Sequence, residues 1–286
     1  MQYYVPKTKI DTDYFRNQIK YINRSQFGPK NNSWKPSISF VTRCMNRLHD
    51  LKLTLPKNIS DNSNYKKLEF VVLDYNSKDG LGDWIKSNMM QHIESGRLNY
   101  YRTEKPNFFC PNHSQNVAFK LASGDLVANL DSDNYTHFNY ADRLAECSSV
   151  SPNRIIIVPE NFLLPGSKRL FLKGRFAIYK NDILQLRGFD EDLDEGFGND
   201  DVNFVFRAML AGFSVVRYES SFTENRLVTT DEERVSHVKN KEFNYMRNKN
   251  GEITWSKLTK GIISVNKNNH WGKEFLVKNF KEELEI

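Results

Sequence analysis

The apolar run Leu126-Val127-Ala128-Asn129-Leu130 stops abruptly at Asp131-Ser132-Asp133, and this junction constrains the chain more than any other segment. Five residues of this kind between turn signals read as a buried strand. Two carboxylates directly beyond it sit where a strand emerges from a sheet at its C-terminal end. Open α/β sheets bind their ligands along that edge. A second acidic cluster, Gly198-Asn199-Asp200-Asp201, follows a glycine-rich stretch and precedes an apolar helical pattern.

The pattern around these motifs is alternating. Ser37 to Thr42 reads as a strand, and Leu48 to Leu55 as a helix that Pro56 helps to end. Leu68 to Leu73 is a second strand, closed by a turn from Asp74 to Gly80. A helix from Asp79 to Met90, a strand from Leu98 to Arg102 and a helix from Asn112 to Ala122 lead to the strand before Asp131. Strands that alternate with helices imply parallel pairing and right-handed crossovers. Further on, Arg154 to Val158 and Arg175 to Tyr179 read as strands, with Asn181 as a cap for a helix over Asp182 to Leu186. Asn199 to Ala211 reads as a helix with Phe204, Val205, Ala208, Met209 and Leu210 on its apolar face, and Phe213 to Tyr218 as a strand.

The expected division is a basic lead-in over 1–36, an α/β domain over 37–225 and a polar, Asn/Lys-rich extension over 226–286 packed upon it. The lead-in holds seven Lys/Arg, and Phe15, Ile19 and Ile22 fall at helical spacing. A helix packed on the domain edge accounts for this spacing more simply than one touching a membrane or an acceptor.

Charge narrows the ligand class. Net charge is +6 and pI about 9.0, which suits an anionic ligand such as a nucleotide diphosphate. No zinc-finger spacing, RNA-recognition signature or long basic block is present, so nucleic acid is disfavoured as a partner. No Gly-x-Gly-x-x-Gly follows the first strand and no phosphate-binding Gly-Lys-Ser/Thr loop occurs. Gly196-Phe197-Gly198 resembles half a dinucleotide fingerprint, but Asp201 stands at its third glycine position. Three cysteines, Cys44, Cys110 and Cys147, argue against a disulfide scaffold and fit a reducing compartment. With no signal-peptide pattern and no membrane-span-length stretch, the expectation is a soluble cytoplasmic protein whose membrane contact, if any, is peripheral.

The acids carry the chemistry. Transfer of a sugar from a nucleotide needs a neutralised leaving diphosphate and an acceptor hydroxyl that loses its proton. A divalent cation such as Mn²⁺ or Mg²⁺ serves the first, taking few carboxylates and leaving positions for phosphate and water. Asp133 is the first choice of ligand, with Asp131 at the ribose or reaching the metal through water. Asp200, opening a helix, is the candidate general base, kept ionised by the helix dipole. Capping is the competing explanation for the Asn199-Asp200-Asp201 run.

The stretch Lys173 to Asp190 followed by Phe197-Gly198-Asn199-Asp200-Asp201 is similar to the C-terminal catalytic segment of β-1,4-galactosyltransferases, and the chain from about Ile38 to His237 resembles a GT-A-fold inverting glycosyltransferase of the family 2 type. That resemblance implies a Rossmann-like nucleotide-sugar-binding fold with a mostly parallel sheet flanked by helices. It implies that Thr42 and Arg43 approach the nucleotide base, Asp74 the uracil or ribose, and Asn116 the donor phosphates or ribose. It places Asp131 and Asp133 in a metal and ribose motif, Asp200 as base, and Asp201 with Asn199 at the acceptor. Asn199 departs from the family's usual Glu and removes a charge beside the base. The resemblance also implies a later His as metal ligand, His237 by chain order, with His113 as a rival near phosphate. The reaction expected is metal-dependent, inverting transfer of a hexose, galactose favoured, from a UDP-sugar to a carbohydrate acceptor in glycan or polysaccharide synthesis. The alternatives are a non-catalytic sugar- or nucleotide-binding module and a sugar nucleotidyltransferase. The latter needs a glycine-rich loop that Thr42-Arg43-Cys44-Met45-Asn46-Arg47 lacks.

Overall fold

The computed structural model describes residues 21–22, 35–159, 174–218, 226–267 and 270–286. The described strands are β1 (Tyr21–Ile22), β2 (Ile38–Cys44), β3 (Leu68–Tyr75), β4 (Leu98–Thr103), β5 (Leu126–Leu130), β6 (Ile155–Pro159), β7 (Arg175–Tyr179), β8 (Ser214–Tyr218), β9 (Phe275–Lys278) and β10 (Glu282–Glu285). They form one sheet in the order β1-β8-β6-β7-β5-β2-β3-β4-β9-β10. Pairing is parallel among β5, β2, β3 and β4 and between β6, β8 and β1. β7 lies antiparallel between β5 and β6, and β9 and β10 add an antiparallel edge beyond β4. The architecture is α/β with a mostly parallel sheet, and the antiparallel β7 is its one departure from simple strand-helix alternation among the central strands.

The described helices are α1 (Leu48–Asp61), α2 (Leu81–Asn88), α3 (Met90–Glu94), α4 (Pro111–Leu121), α5 (Tyr140–Ser148), α6 (Lys180–Leu186), α7 (Asp200–Leu210), α8 (Asp231–Val235) and α9 (Phe243–Thr259). Successive strand residues point to opposite faces, so β2 and β3 each feed two cores. Val41, Val71, Leu73, Val127, Phe176 and Ile178 face one layer, with Val117 and Phe119 of α4, Phe204, Val205 and Ala208 of α7 and Trp255 and Leu258 of α9. Phe40, Phe70, Val72, Ala128 and Ala177 face the other, with Leu51, Leu55 and Ile59 of α1, Leu81 and Ile85 of α2 and Leu144 of α5. Burial of both faces explains why the central strands read as continuous apolar runs instead of alternating ones.

Local differences from the sequence reading have physical causes. Pro56 lies inside α1 instead of ending it. It forfeits one backbone hydrogen bond, but buried Leu51, Leu55 and Ile59 hold the helix on the sheet through that point. Asn181 falls in the first turn of α6, whose cap position is Tyr179. The expected helix over Asp79–Met90 begins after Gly80, which takes φ +85, and breaks at Met89 into two. Of the basic lead-in, Phe15 and Ile19 lie outside the described residues, and Ile22, expected on a helix, pairs with Val216 in β1. Past residue 226 the polar composition conceals regular structure, because a few apolar residues suffice to seat it: Met246, Trp255, Leu258 and Leu276 are buried. Among the described residues no helix is long and apolar enough to cross a membrane.

An aromatic cluster joins the helix layer to the loop before α7. Phe189 stacks on Phe204 at 4.5 Å and meets Phe119 and Phe176 at 5.8 and 5.9 Å. Phe189→Ala removes the centre of this cluster and is expected to destabilise the fold by about 3–5 kcal/mol. Urea denaturation of the variant and the wild type measures the difference, and a loss below about 1 kcal/mol would contradict the packing described.

Candidate active site

The site lies at the C-terminal edge of β2 and β5. Ile38 to Val41 run beside Leu126 to Asn129 in parallel register, so Arg43 and Asp131 leave the sheet side by side. Thr42 is 3% exposed, and its hydroxyl donates to the Leu130 carbonyl at 2.7 Å. It bolts the two strand ends together. Arg43 is turned to the opposite face by strand alternation. Its Nη1 donates to Asn129 Oδ1 at 3.2 Å and lies 3.6 Å from Asp131 Oδ1, and its Nη2 lies 4.0 Å from Asp200 Oδ2. Arg43 therefore stands between the two acidic motifs, and its guanidinium lies over the Phe109 ring.

Gly174 allows Asp131 its place. It takes φ +68, and a Cβ there would lie 1.8 Å from Asp131 Oδ2. Asn129 Nδ2 donates to Asp131 Oδ1 at 3.1 Å and to the Gly174 carbonyl at 2.7 Å. Asp133 Oδ2 accepts from the Thr229 hydroxyl at 3.1 Å, and Thr229 accepts from Arg47 Nη2 at 2.7 Å. The Leu227 amide donates to the Asp133 carbonyl at 2.8 Å, so residues 226–229 lie as a strap along the paired acids. Burial, reinforced by the charge of Asp131, pushes the Asp133 carboxyl above its ordinary value.

Asp131 and Asp133 are neighbouring carboxylates, and the charge of Asp131 helps to hold the Asp133 carboxyl up, while the Asp131 side chain is 39% exposed. Such a pair fits Mn²⁺ or Mg²⁺, which accept one or two carboxylates and complete their shell with phosphate and water. Among the described residues no three His, Cys, Asp or Glu side chains gather as a metal-holding group. His237 makes other contacts. Its Nδ1 meets Asn46 Nδ2 at 3.2 Å, and its carbonyl accepts from Phe109 at 2.7 Å. Burial and the nearby Arg47 charge lower its basicity. His113 is likewise engaged, with Tyr75 at 2.8 Å and the Lys273 carbonyl at 3.1 Å.

Asp200 begins α7. The Asn199 before it takes φ +62 and makes no side-chain capping bond. Its Nδ2 instead donates to the Arg247 carbonyl of α9 at 2.8 Å. Asn tolerates the left-handed region better than most residues, which gives a local reason for Asn where the resemblance implies Glu. Asp201 accepts from the Val202 amide at 2.8 Å and is half-buried on the first turn. Burial pushes the Asp200 carboxyl up, while Arg43 and the amides of residues 200 and 201 favour its charged form. Burial is the largest of these effects and leaves the carboxyl above its ordinary value, an effect the sequence did not disclose.

Two further candidates make internal contacts. Asp74 is fully buried and accepts from the Ser77 N–H at 2.8 Å, the Tyr100 hydroxyl at 2.6 Å and Arg102 Nη1 at 2.8 Å. It fixes the turn after β3. Asn116 is equally buried. Its amide donates to the Phe189 carbonyl at 3.0 Å and to Glu191 Oε1 at 2.8 Å, and its oxygen accepts from the Phe189 amide at 2.7 Å. It pins the loop that precedes α7.

The sequence reading missed Asn129, Arg47, Thr229, Asn250 and Asp194. Asn129 had a signal, a carboxamide in a buried apolar run. Asn250 of α9 donates to the Leu193 and Gly198 carbonyls at 3.0 and 3.1 Å, and nothing in a polar helix announces that. Asp194 accepts from the amides of Asn112 and His113 at 2.6 and 2.9 Å, tying the loop before α7 to the start of α4.

A family model described as "Glycosyl transferase family 2" matches residues 39–211. The chain belongs to glycosyl transferase family 2. Its fold is that of the GT-A glycosyltransferases. The mannosyltransferase PcManGT from Pyrobaculum calidifontis, in complex with GDP-Man and Mn2+, is similar at 18% identity and TM-score 0.51, over 72% of this chain and 61% of that one. S. aureus TarS 1-349 in complex with UDP is similar at 16% identity and TM-score 0.52, over 70% and 62%. GalNAc-T7 with UDP, GalNAc and Mn2+ follows at 15% identity and TM-score 0.52, over 67% and 45%. The chain thus spans about three fifths of the first two proteins. No match was found among curated proteins.

Two expected outcomes test this geometry. Gly174→Ala displaces Asp131 and should weaken Mn²⁺-dependent UDP binding about 10- to 100-fold, measured by calorimetry with a melting curve as the folding control. The second concerns Asp194, whose carboxyl burial pushes up to about 7. The stabilisation that goes with its protonated form is complete below the unfolded value of about 3.9 and is lost as pH rises through about 7. Stability should therefore fall across that window. Asp194→Asn should flatten this part of the slope, as read from urea midpoints at about pH 5 and about pH 8.

Proposed function

We propose that this family 2 enzyme is a metal-dependent inverting transferase that moves a hexose, galactose favoured, from a UDP-sugar to a carbohydrate acceptor. The observation that carries this reading is the convergence of Asp131 and Asp133 at the end of β5 with Asp200 at the start of α7, joined through Arg43. Asp131 and Asp133 would hold Mn²⁺ or Mg²⁺, which when bound neutralises the leaving diphosphate as a Lewis acid.

The remaining steps belong to the protein. The acceptor hydroxyl oxygen attacks the anomeric carbon from the face opposite the diphosphate. The carbon–oxygen bond to UDP breaks as the new glycosidic bond forms, and the hydroxyl proton passes to the Asp200 carboxylate. A single displacement inverts the anomeric centre and leaves no sugar on the enzyme. Arg43 and the amides at the start of α7 favour the carboxylate form of Asp200 against its burial. The galactose preference rests on the likeness of residues 173–201 to β-1,4-galactosyltransferases, and the UDP preference on TarS and GalNAc-T7, whose structures contain UDP. We read 37–225 as the catalytic unit, 226–286 as an extension packed on it and 1–36 as a basic lead-in, in a cytoplasmic enzyme that reaches a membrane only peripherally.

Release of UDP from a panel of UDP-sugars, with Mn²⁺ and with EDTA, tests the proposal. Turnover of UDP-galactose above UDP-glucose, lost with EDTA, is the expected result. Asp200→Asn should lower kcat about 10²- to 10⁴-fold with the fold intact. Full activity in that variant would sink the base assignment. Absence of both turnover and metal-dependent UDP binding would favour a sugar- or nucleotide-binding module.

A further inference from the structure

Arg43 ends a strand whose other side chains are buried in apolar layers or hydrogen-bonded across the sheet. A guanidinium at 11% side-chain exposure must find partners in such a place. What it finds is uneven. Its only close hydrogen bond among the described residues goes to the neutral carboxamide of Asn129 at 3.2 Å. Both carboxylates stand further off, Asp131 at 3.6 Å and Asp200 at 4.0 Å. Its Nε is buried and has no hydrogen-bond partner among the described residues. Phe109 lies against the guanidinium at 5.9 Å.

The orientation is imposed from β5. Asn129 donates both to Asp131 and to the Gly174 carbonyl, so its oxygen must face Arg43. The amide thus fixes the guanidinium midway between the two acidic motifs.

The consequence concerns the moment of donor binding. A diphosphate brings several negative charges to the Asp131 side of the site. Unscreened, they would favour the protonated, inactive form of a base on the other side. We propose that Arg43 is the positioning residue that joins the two halves: it fixes the Asp200 carboxylate relative to Asp131 and supplies the positive charge that keeps it a base while the donor is bound. This rests on the reading of Asp200 as base. Arg43 then serves turnover, not donor capture. Lysine keeps the charge but lacks the fork that reaches Asn129, Asp131 and Asp200 together.

The test is steady-state transfer by the full chain carrying Arg43→Ala, Arg43→Lys or Asp200→Asn, with melting curves for each. Arg43→Ala should lower kcat about 10- to 100-fold, while KM for the UDP-sugar changes less than about threefold. Arg43→Lys should recover part of the loss, and added guanidinium at non-denaturing concentration should partly restore Arg43→Ala but not Asp200→Asn. A raised donor KM with unchanged kcat overturns the inference and returns Arg43 to the nucleotide. A kcat loss in a well-folded Arg43→Ala that neither lysine nor guanidinium relieves also overturns it. If Arg43→Ala does not fold, the lysine variant decides by the same split of kcat from KM. Full activity of Asp200→Asn removes the base reading and this inference with it, whereas an inactive Asp200→Asn beside a fully active Arg43→Ala overturns the inference alone.

Discussion

The site depends on the parallel ladder between β2 and β5. Four residue pairs set its register, and the Thr42 hydroxyl closes the end of it on the Leu130 carbonyl. One residue beyond that bolt on either strand, the chains part and their side chains become polar: Arg43 on one, Asp131 on the other. A shift of one residue would turn Arg43 into the opposite layer. Because both faces of the sheet are packed with apolar side chains, such a shift would turn a charge into the layer of Phe70, Val72 and Leu144. The hydrophobic pattern therefore fixes the geometry of the charged groups without touching them.

The other half of the site is set from behind. Gly198 at φ +117 and Asn199 at φ +62 make the sharp turn that launches α7, and α9 presses on this turn so closely that a Cβ on Gly198 would lie 3.1 Å from the Arg247 side chain. Asn250 and Met246 of the same helix hold the backbone on either side. Beneath them lies Arg207, fully buried and 2.8 Å from Asn203 Oδ1. It donates to the carbonyls of Leu186, Gly188 and Ile263. Burial lowers its basicity to about 10. A guanidinium so placed is tolerated only because each face of it meets an acceptor. It thereby staples α6, α7 and the C-terminal segment into one support for Asp200.

These particulars explain what the amino-acid pattern could and could not disclose. The β5 boundary, the strand-helix alternation and the two acidic motifs were legible because each is a local contrast between apolar and polar residues. The position of β7 was not, since an antiparallel insertion between parallel strands changes no residue type. The contacts of Asp74 and Asn116 were hidden for a different reason: a polar residue at a strand or helix end looks alike whether it meets a ligand or a neighbouring loop. Ser77 is close to Asp74 in the chain, but Tyr100 lies 26 residues from Asp74, and Phe189 and Glu191 lie 73 and 75 from Asn116. The contact of His237 with Asn46, 191 residues away, was hidden in the same way.

The charge around the paired acids is divided among several partners. Asp133 is approached by Arg47 and Arg226, and Asp131 by Arg43. Arg47 also pairs with Asp50, and Arg43 is divided between Asp131 and Asp200. Each arginine is thus shared, and the carboxylates at the end of β5 are left less than fully compensated. Asp131 keeps a 39% exposed side chain, whereas Asp133 is drawn inward by the strap of residues 226–229, which bonds it through both backbone and Thr229. The inward carboxylate carries the larger cost of burial, and the charge of its neighbour adds to it, so its carboxyl stands above the ordinary value.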